Sequence, residues 1–227
     1  MGKNPADGKS KTDEMFTKSH LGDLDKLAEG TVEWYRAAYA KCEVDKGYEK
    51  PVANDVALVL HGKEQYLISQ NDTGILWWII GGIHFKEASC DFHAILHNGQ
   101  RGIIGPDAMR DNRKSTIVPK GVGPFPDWRS ATVDAVKGPR WAKIRAGSGD
   151  IGEILYACER YNGTGYISGA GKAETSPYLW ARSNINDDFG KYVSDGKFDP
   201  NATTQKTTGF ALIVKELARM GEIQIAA

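Results

Sequence analysis

The sequence predicts a mainly α fold of the α+β class, in which a helical lobe surrounds a buried central helix and a small β-containing lobe lies beside it. Apolar residues recur at helical spacing in several segments, and residues 74–89 are apolar almost all round, as in a helix buried on most sides. Residues 98–128 lack this periodicity and are rich in glycine and proline, which break helices. A chain of 227 residues has the length of one domain, or at most two.

The predicted elements follow in order along the chain. Residues 1–20 carry mixed charges and are expected to form a mobile N-terminal tail, followed by a single domain over residues 21–227. Asp23 is a suitable N-cap for the first helix. Within residues 98–128 only residues 115–118 have a strand-like pattern, so we expect a short β-hairpin in that region. Helical periodicity predicts helices over about residues 24–42, 54–69, 74–89, 128–136, 151–161 and 203–220.

The charge balance and the cysteines exclude several classes of protein. Lys and Arg number 29 and Asp and Glu number 29, so the net charge is zero, whereas a generic nucleic-acid binder carries excess positive charge. We therefore expect no nucleic-acid partner. Cys42, Cys90 and Cys158 are widely spaced and form no Cys-x-x-Cys pair, which predicts free thiols in a reducing compartment rather than disulfides or a zinc ribbon.

Two further features predict a protein that is made in the cytoplasm without a signal peptide. Residues 1–16 are polar and lack the apolar centre of a secretory signal. The longest apolar run, residues 74–85, is shorter than the roughly 20 residues that span a bilayer, so no membrane insertion is expected.

Glu87 is the first candidate catalytic residue. It lies at the C-terminal end of the apolar segment, at helical spacing from Leu76, Ile80 and Ile83. An apolar environment and the negative end of the helix dipole both disfavour a charged carboxylate, so the pKa of Glu87 is expected to rise to about 6 or above. A general acid needs such a pKa near neutral pH. The alternative is that Glu87 points into solvent at the helix end.

The end of the predicted helix over residues 151–161 carries the second group of candidates. Tyr161 and Asn162 place a phenol and an amide at a helix end beside a loop, where a binding cleft can use them. Asn162 followed by Gly163 is also a common helix stop, which is the purely structural alternative.

These two helix ends resemble motifs of soluble lytic transglycosylases. Residues 87–89 (Glu-Ala-Ser) are similar to the Glu-Ser that ends a buried helix in that family, and residues 161–163 (Tyr-Asn-Gly) to its Ala-Tyr-Asn-Ala-Gly motif. Goose-type lysozymes share that fold and its single essential glutamate. Further stretches resemble a group of phage-type lysozyme-like proteins, namely residues 93–99 (HAILHNG), 118–128 (VPKGVGPFPDW), 155–166 (LYACERYNGTGY), 176–180 (SPYLW) and 191–202 (KYVSDGKFDPNA).

The resemblance implies a lysozyme-like catalytic domain that degrades peptidoglycan, as a phage endolysin or a virion-associated lysozyme. Its target would be the β-1,4 bond between N-acetylmuramic acid and N-acetylglucosamine, with Glu87 as the general acid and no cofactor. Lacking a signal peptide, such an enzyme would reach the wall through a pore or aboard a virion.

The sequence leaves two possible reaction products open. Ala88 separates Glu87 from Ser89, and the Gly-Leu-Met-Gln motif of the transglycosylases has no match in residues 98–128. Hydrolysis would give reducing ends, whereas a lytic transglycosylase would give 1,6-anhydro ends.

Other site residues follow from the same chemistry. Glycoside hydrolysis generally uses two carboxyl groups, and Glu159 is the best candidate for the second, with Asp91 and Asp111 as alternatives, although single-glutamate families need none. Sugars bind to aromatic rings and amides, which here collect in loop-rich stretches. The candidate substrate-binding residues are Ser89, His97, Asn98, Tyr161, Asn162, Tyr166, Tyr178 and Trp180. Packing against the helical lobe is the alternative role for Trp180.

Two rival interpretations remain. His93 and His97 are spaced as in a zinc-binding helix, but Ala94 stands where zinc peptidases have a glutamate, so no metal site is predicted. A noncatalytic glycan-binding or virion structural protein is the other alternative, and it would tolerate the substitution Glu87→Gln.

Overall fold

A computed structural model describes residues 24, 27–28, 30–169, 171 and 175–225. The expected tail over residues 1–20 and the expected N-cap at Asp23 lie outside these ranges. The described ranges contain eleven α-helices, a short 3-10 helix and one two-stranded antiparallel sheet, which confirms the predicted mainly helical class. Within them, none of the helices has the length and apolar character needed to cross a membrane.

The elements are named in chain order. They are α1 (Val32–Lys41), α2 (Glu49–His61), α3 (Lys63–Thr73), α4 (Trp77–Ala88), α5 (Pro106–Arg110), α6 (Trp128–Ala135), the 3-10 helix (Pro139–Trp141), α7 (Ala142–Arg145), α8 (Ile151–Asn162), α9 (Gly165–Ser168), α10 (Pro177–Trp180), β1 (Phe189–Ser194), β2 (Lys197–Thr203) and α11 (Phe210–Arg219).

Helix α4 is the centre of the fold because it is apolar on every side. All its residues from Trp77 to Phe85 are buried, and α2, α3 and α11 pack around it. Glycine lets α11 approach closely: a Cβ at Gly82 would lie 2.5 Å from a ring carbon of Phe210. The predicted buried central helix is therefore present, with nearly the predicted ends.

The tryptophans belong to this core. The chain has six, and none is more than 7% exposed: Trp34, Trp77, Trp78, Trp128, Trp141 and Trp180. The rings of Trp34 and Trp180 pack edge to face with their centres 5.8 Å apart.

Three helix predictions differ from the structure. The predicted helix over residues 54–69 is two helices, α2 and α3, which meet at Gly62. Helix α1 begins later than predicted, after the N-cap Thr31. The last helix begins at Phe210 because the chain up to Thr203 is a β-strand.

The predicted location of the β-hairpin is wrong. Residues 98–128 contain helix α5 and isolated bridges but no strand. The hairpin is instead formed by β1 and β2, with Tyr192 opposite Phe198 and residues 195–196 as the turn.

A small lobe still forms from residues 94–128. Ile95 and Ile103 make a separate buried cluster with Ala131 of α6, and Phe125 packs against that cluster. This region therefore has a core of its own, assembled from loops rather than from strands.

The cysteines are free thiols, as their spacing predicts. Cys42 and Cys158 are buried and Cys90 is partly exposed. Burial raises the pKa of the Cys42 thiol to about 12, so it stays protonated at neutral pH.

Candidate active site

Glu87 lies in the last turn of α4, the most buried helix of the fold. Ser89 ends this helix in the left-handed conformation, with φ of 51°. The Glu87 side chain is partly buried, and burial raises its pKa to about 7. The neighbouring Tyr178 hydroxyl and the charge of Lys86 act in the opposite direction. Because its side chain is partly buried, Glu87 is not simply directed into water.

Two tyrosines surround the Glu87 carboxyl. Tyr178 comes from α10 and Tyr161 from α8, and both phenols have a pKa well above the ordinary value because they are buried and lie near the negative charge of Glu87. The Tyr161 hydroxyl donates a hydrogen bond to the carbonyl oxygen of Leu96, at 2.8 Å. Tyr161 therefore links α8 to the small lobe beside Glu87.

Gly99 joins the small lobe directly to the end of α4. It has φ of 72°, and its amide donates a hydrogen bond to the carbonyl oxygen of Ile95 at 2.9 Å. A Cβ at this position would lie 2.1 Å from the carbonyl oxygen of Glu87. Only glycine allows this close approach, which fixes the small lobe against the backbone of the candidate acid.

Gly99→Ala is therefore expected to lower the free energy of unfolding by about 3 kcal/mol, from the left-handed backbone and the clash with Glu87 together. Gly121→Ala is the matched control: its φ is 81°, but nothing lies within 4 Å of its Cβ position. Thermal unfolding compares the two variants. Equal losses of stability would contradict the close approach of Gly99 to Glu87.

An open groove lies beside the glutamate. Its volume is about 680 Å³. Glu87 itself does not line it, but Lys86 and Tyr178, two neighbours of the Glu87 carboxyl, form part of its wall. The remaining wall comes from the end of α8, from α9, from the β1–β2 hairpin and from residues 204–207. Threonines, an amide and tyrosines line it, so it can bind a polar, ring-containing chain.

Several of the predicted substrate-binding residues meet here. Asn162, Tyr166 and Tyr178 line the groove, and Tyr161 borders Glu87. The Tyr166 hydroxyl accepts a hydrogen bond from the backbone amide of Tyr192 in β1, at 3.1 Å. Tyr166 therefore both lines the groove and anchors its hairpin wall.

Other predicted binding residues hold the small lobe together and do not line the groove. The Nε2 atom of His97 lies 3.0 Å from Asp134, and its ring stacks on Phe125. The Asn98 side-chain amide donates hydrogen bonds to the Ser115 hydroxyl and to neighbouring carbonyl oxygens. Ser89 is exposed at the end of α4, outside the groove lining.

Glu159 and Trp180 face away from the groove, which corrects their predicted roles. Trp180 is 1% exposed and packs in the core, so no sugar can stack on it. Glu159 is 1% exposed and lines a separate cavity of about 10 Å³, roughly the size of one water molecule. A sugar ring cannot enter that cavity.

The alternative carboxylates are engaged elsewhere. Asp91 pairs with Arg101, at 2.6 Å, and Asp111 pairs with Arg113, at 2.8 Å. Neither aspartate lines the groove.

The zinc alternative fails on geometry. Residues 93–97 are not helical, and the His93 side chain is 90% exposed and contacts Asp91, whereas His97 contacts Asp134. In the part of the chain that the structure describes, no three His, Cys, Asp or Glu side chains come together as metal ligands.

The sequence interpretation missed Lys86, Lys191, Tyr192 and Lys206, which also line the groove. They come from α4, from the hairpin and from the segment before α11. No spacing in the sequence indicates that these three segments meet. The Asp195-Gly196 pair is, however, a strong signal for the turn of a hairpin.

Fold and site together define a mainly helical protein with a partly buried acid beside an open polar groove. No family model, curated protein or solved structure matches the chain. The function is therefore inferred from the residues around Glu87 and in the groove.

Proposed function

We propose that this protein cleaves the glycan strands of peptidoglycan at the β-1,4 bond between N-acetylmuramic acid and N-acetylglucosamine. The observation that carries the proposal is the Glu87 carboxyl. It has a pKa of about 7 and lies beside a groove with a volume of about 680 Å³. A carboxyl with that pKa is protonated in a large fraction of molecules at neutral pH, as a general acid must be.

In this mechanism Glu87 gives its proton to the leaving glycosidic oxygen while the bond from that oxygen to the sugar C1 breaks. The carboxylate that forms is stabilised by the Tyr178 hydroxyl and by the charge of Lys86, both of which lower the Glu87 pKa. Lys86 is held in place because its ammonium donates hydrogen bonds to the Thr207 hydroxyl, at 3.1 Å, and to the Thr208 carbonyl oxygen, at 3.0 Å.

The second half of the reaction needs a nucleophile at C1. Water would give a reducing end, and the 6-hydroxyl of the muramyl residue would give a 1,6-anhydro end. In either case the Glu87 carboxylate can accept the proton that the nucleophile loses, which regenerates the acid. Because Glu159 is 1% exposed and lines a separate cavity of about 10 Å³, the proposal rests on Glu87 alone.

The proposal is tested by incubating the protein, and separately its Glu87→Gln variant, with purified peptidoglycan and identifying the fragments by mass spectrometry. Muramyl fragments with reducing or 1,6-anhydro ends are expected from the wild-type protein only, and the type of end distinguishes the two products. Released peptides with intact glycan would contradict the proposed bond. Binding without fragments would favour a noncatalytic glycan-binding protein.

The pH dependence of kcat/KM is expected to show an alkaline limb near pH 7. Glu87 must be protonated when substrate arrives, and its pKa in the folded protein is about 7. The measurement uses soluble glycan oligomers between pH 4 and 9 at constant ionic strength. An alkaline limb near the ordinary value of 4.5 would show that the acid is solvated.

A further inference from the structure

The lining of the groove carries an excess of positive charge, although the net charge of the whole chain is zero. Lys86, Lys191 and Lys206 all line it, each from a different element. Its only acidic lining residue within the described ranges is Asp195, in the exposed turn of the hairpin. With 29 basic and 29 acidic residues in the chain, this imbalance is local.

Lys191 lies close enough to both Lys206 and Lys86 for their like charges to repel. Burial, and then the neighbouring charge of Lys206, lowers the pKa of Lys191. Burial lowers the pKa of Lys86 to about 8, while the carboxylates of Glu87 and Asp55 act in the opposite direction and the charges of Arg182 and Lys191 make smaller lowering contributions. Lys86 therefore has carboxylates nearby, whereas the repulsion between Lys191 and Lys206 would be relieved by an anion bound between them.

The wall that carries Lys206 is held rigidly. The Arg182 guanidinium donates hydrogen bonds to the Lys206 carbonyl oxygen, at 2.7 Å, and to Asp55, at 2.8 Å. The same Asp55 carboxylate accepts a hydrogen bond from the Thr208 hydroxyl, at 2.7 Å. The backbone at Lys206 is therefore fixed from both sides.

The wall that carries Lys191 is fixed as well. The neighbouring Tyr192 donates a hydrogen bond from its hydroxyl to the Gly165 carbonyl oxygen, at 3.2 Å. A Cβ at Gly165 would lie 2.5 Å from the Tyr192 ring, so the hairpin packs directly on α9. The backbone that carries each lysine is therefore held in place before a ligand binds, which reduces the entropy that binding costs.

We infer that Lys191 and Lys206, on the groove wall facing Lys86, bind a carboxylate of the substrate, so that the groove selects acidic glycans over neutral ones. The inference rests on the proposed function, since it concerns the substrate of the same groove. Peptidoglycan offers such groups in two places: the lactyl carboxyl of unsubstituted muramic acid, and the carboxyls of its peptide stems. Both present the same chemistry to a lysine.

The test measures binding by calorimetry to the full-length Glu87→Gln protein, which does not consume the ligand. Three probes are compared at low salt: a neutral tetramer of N-acetylglucosamine, a peptide-free tetramer of alternating N-acetylglucosamine and N-acetylmuramic acid, and the same tetramer with peptide stems. Lys191→Gln and Lys206→Gln are added together to this background. Lys197→Gln, an exposed lysine of the same hairpin outside the groove, is the control.

At least one acidic tetramer is expected to bind about 10-fold more tightly than the neutral one. The double substitution should abolish that preference, whereas Lys197→Gln should keep it. A preference shown by the peptide-free tetramer identifies the lactyl carboxyl, and one shown only by the peptide-bearing tetramer identifies the stems. Thermal unfolding verifies that each variant is folded.

Equal binding of all three probes, or no binding, would overturn the inference, as would a preference that survives the double substitution. Failure of the proposed function gives a different result. In that case the protein with intact Glu87 releases no glycan fragments, while the lysine-dependent preference for acidic tetramers remains.

Discussion

Replacing Glu87 by Gln is expected to lower kcat/KM on peptidoglycan glycans by at least about 100-fold, the usual contribution of a general acid. The amide has nearly the shape of the protonated carboxyl, but it cannot give up a proton to the glycosidic oxygen. Tyr178 and Lys86, which lie beside Glu87, remain in place. The loss should therefore fall on kcat rather than on binding.

The matched control is Glu64→Gln, which changes an exposed glutamate of α3. It should leave kcat/KM unchanged, because Glu64 lies outside the groove. Turnover is measured by the release of soluble glycan fragments, on protein whose thermal unfolding matches the wild type. Near wild-type turnover in Glu87→Gln would remove Glu87 from the mechanism.

The same substitution is expected to stabilise the protein at alkaline pH. The pKa of Glu87 is about 7 in the folded protein and near 4.5 when the group is unperturbed, so the folded state binds its proton more tightly. The stability linked to this proton is fully present below pH 4.5 and is lost as pH rises through 7. The free energy of unfolding of Glu87→Gln minus that of the wild type should thus be about 2–3 kcal/mol larger at pH 8 than at pH 4.

Urea unfolding at a series of pH values measures this difference directly. Other titrating groups are common to both proteins and cancel in the comparison. If the Glu87→Gln and wild-type curves were parallel from pH 4 to 8, the Glu87 carboxyl would have the same pKa in the folded and unfolded chains.

The central helix could be predicted because its signal is local. Residues 74–89 are apolar on all sides, and such a helix has to be buried whatever surrounds it. The hairpin was missed for the opposite reason. Its strands are mostly polar and contain Pro200, so they lack the apolar alternation that marks a half-buried strand, and only the Asp195-Gly196 turn indicates it.

The candidate site likewise has residues that a local sequence pattern predicts and residues that it does not. Glu87 followed from its place on α4, but Glu159 and Tyr161 are two residues apart on one helix and so face different directions. The spacing alone shows that both cannot face Glu87, and the position of Tyr161 near Glu87 decides which one does. The lysines of the groove converge through tertiary packing, which no local pattern reveals.

The burial of every tryptophan has a spectroscopic consequence. Sites that bind sugars on tryptophan are often followed by the quenching of indole emission, but here the aromatic lining of the groove is Tyr166, Tyr178 and Tyr192. Tryptophan emission, excited selectively, should therefore change little when a ligand binds in the groove. It should instead respond strongly when the core opens, so fluorescence monitors unfolding and calorimetry is the suitable probe of occupancy.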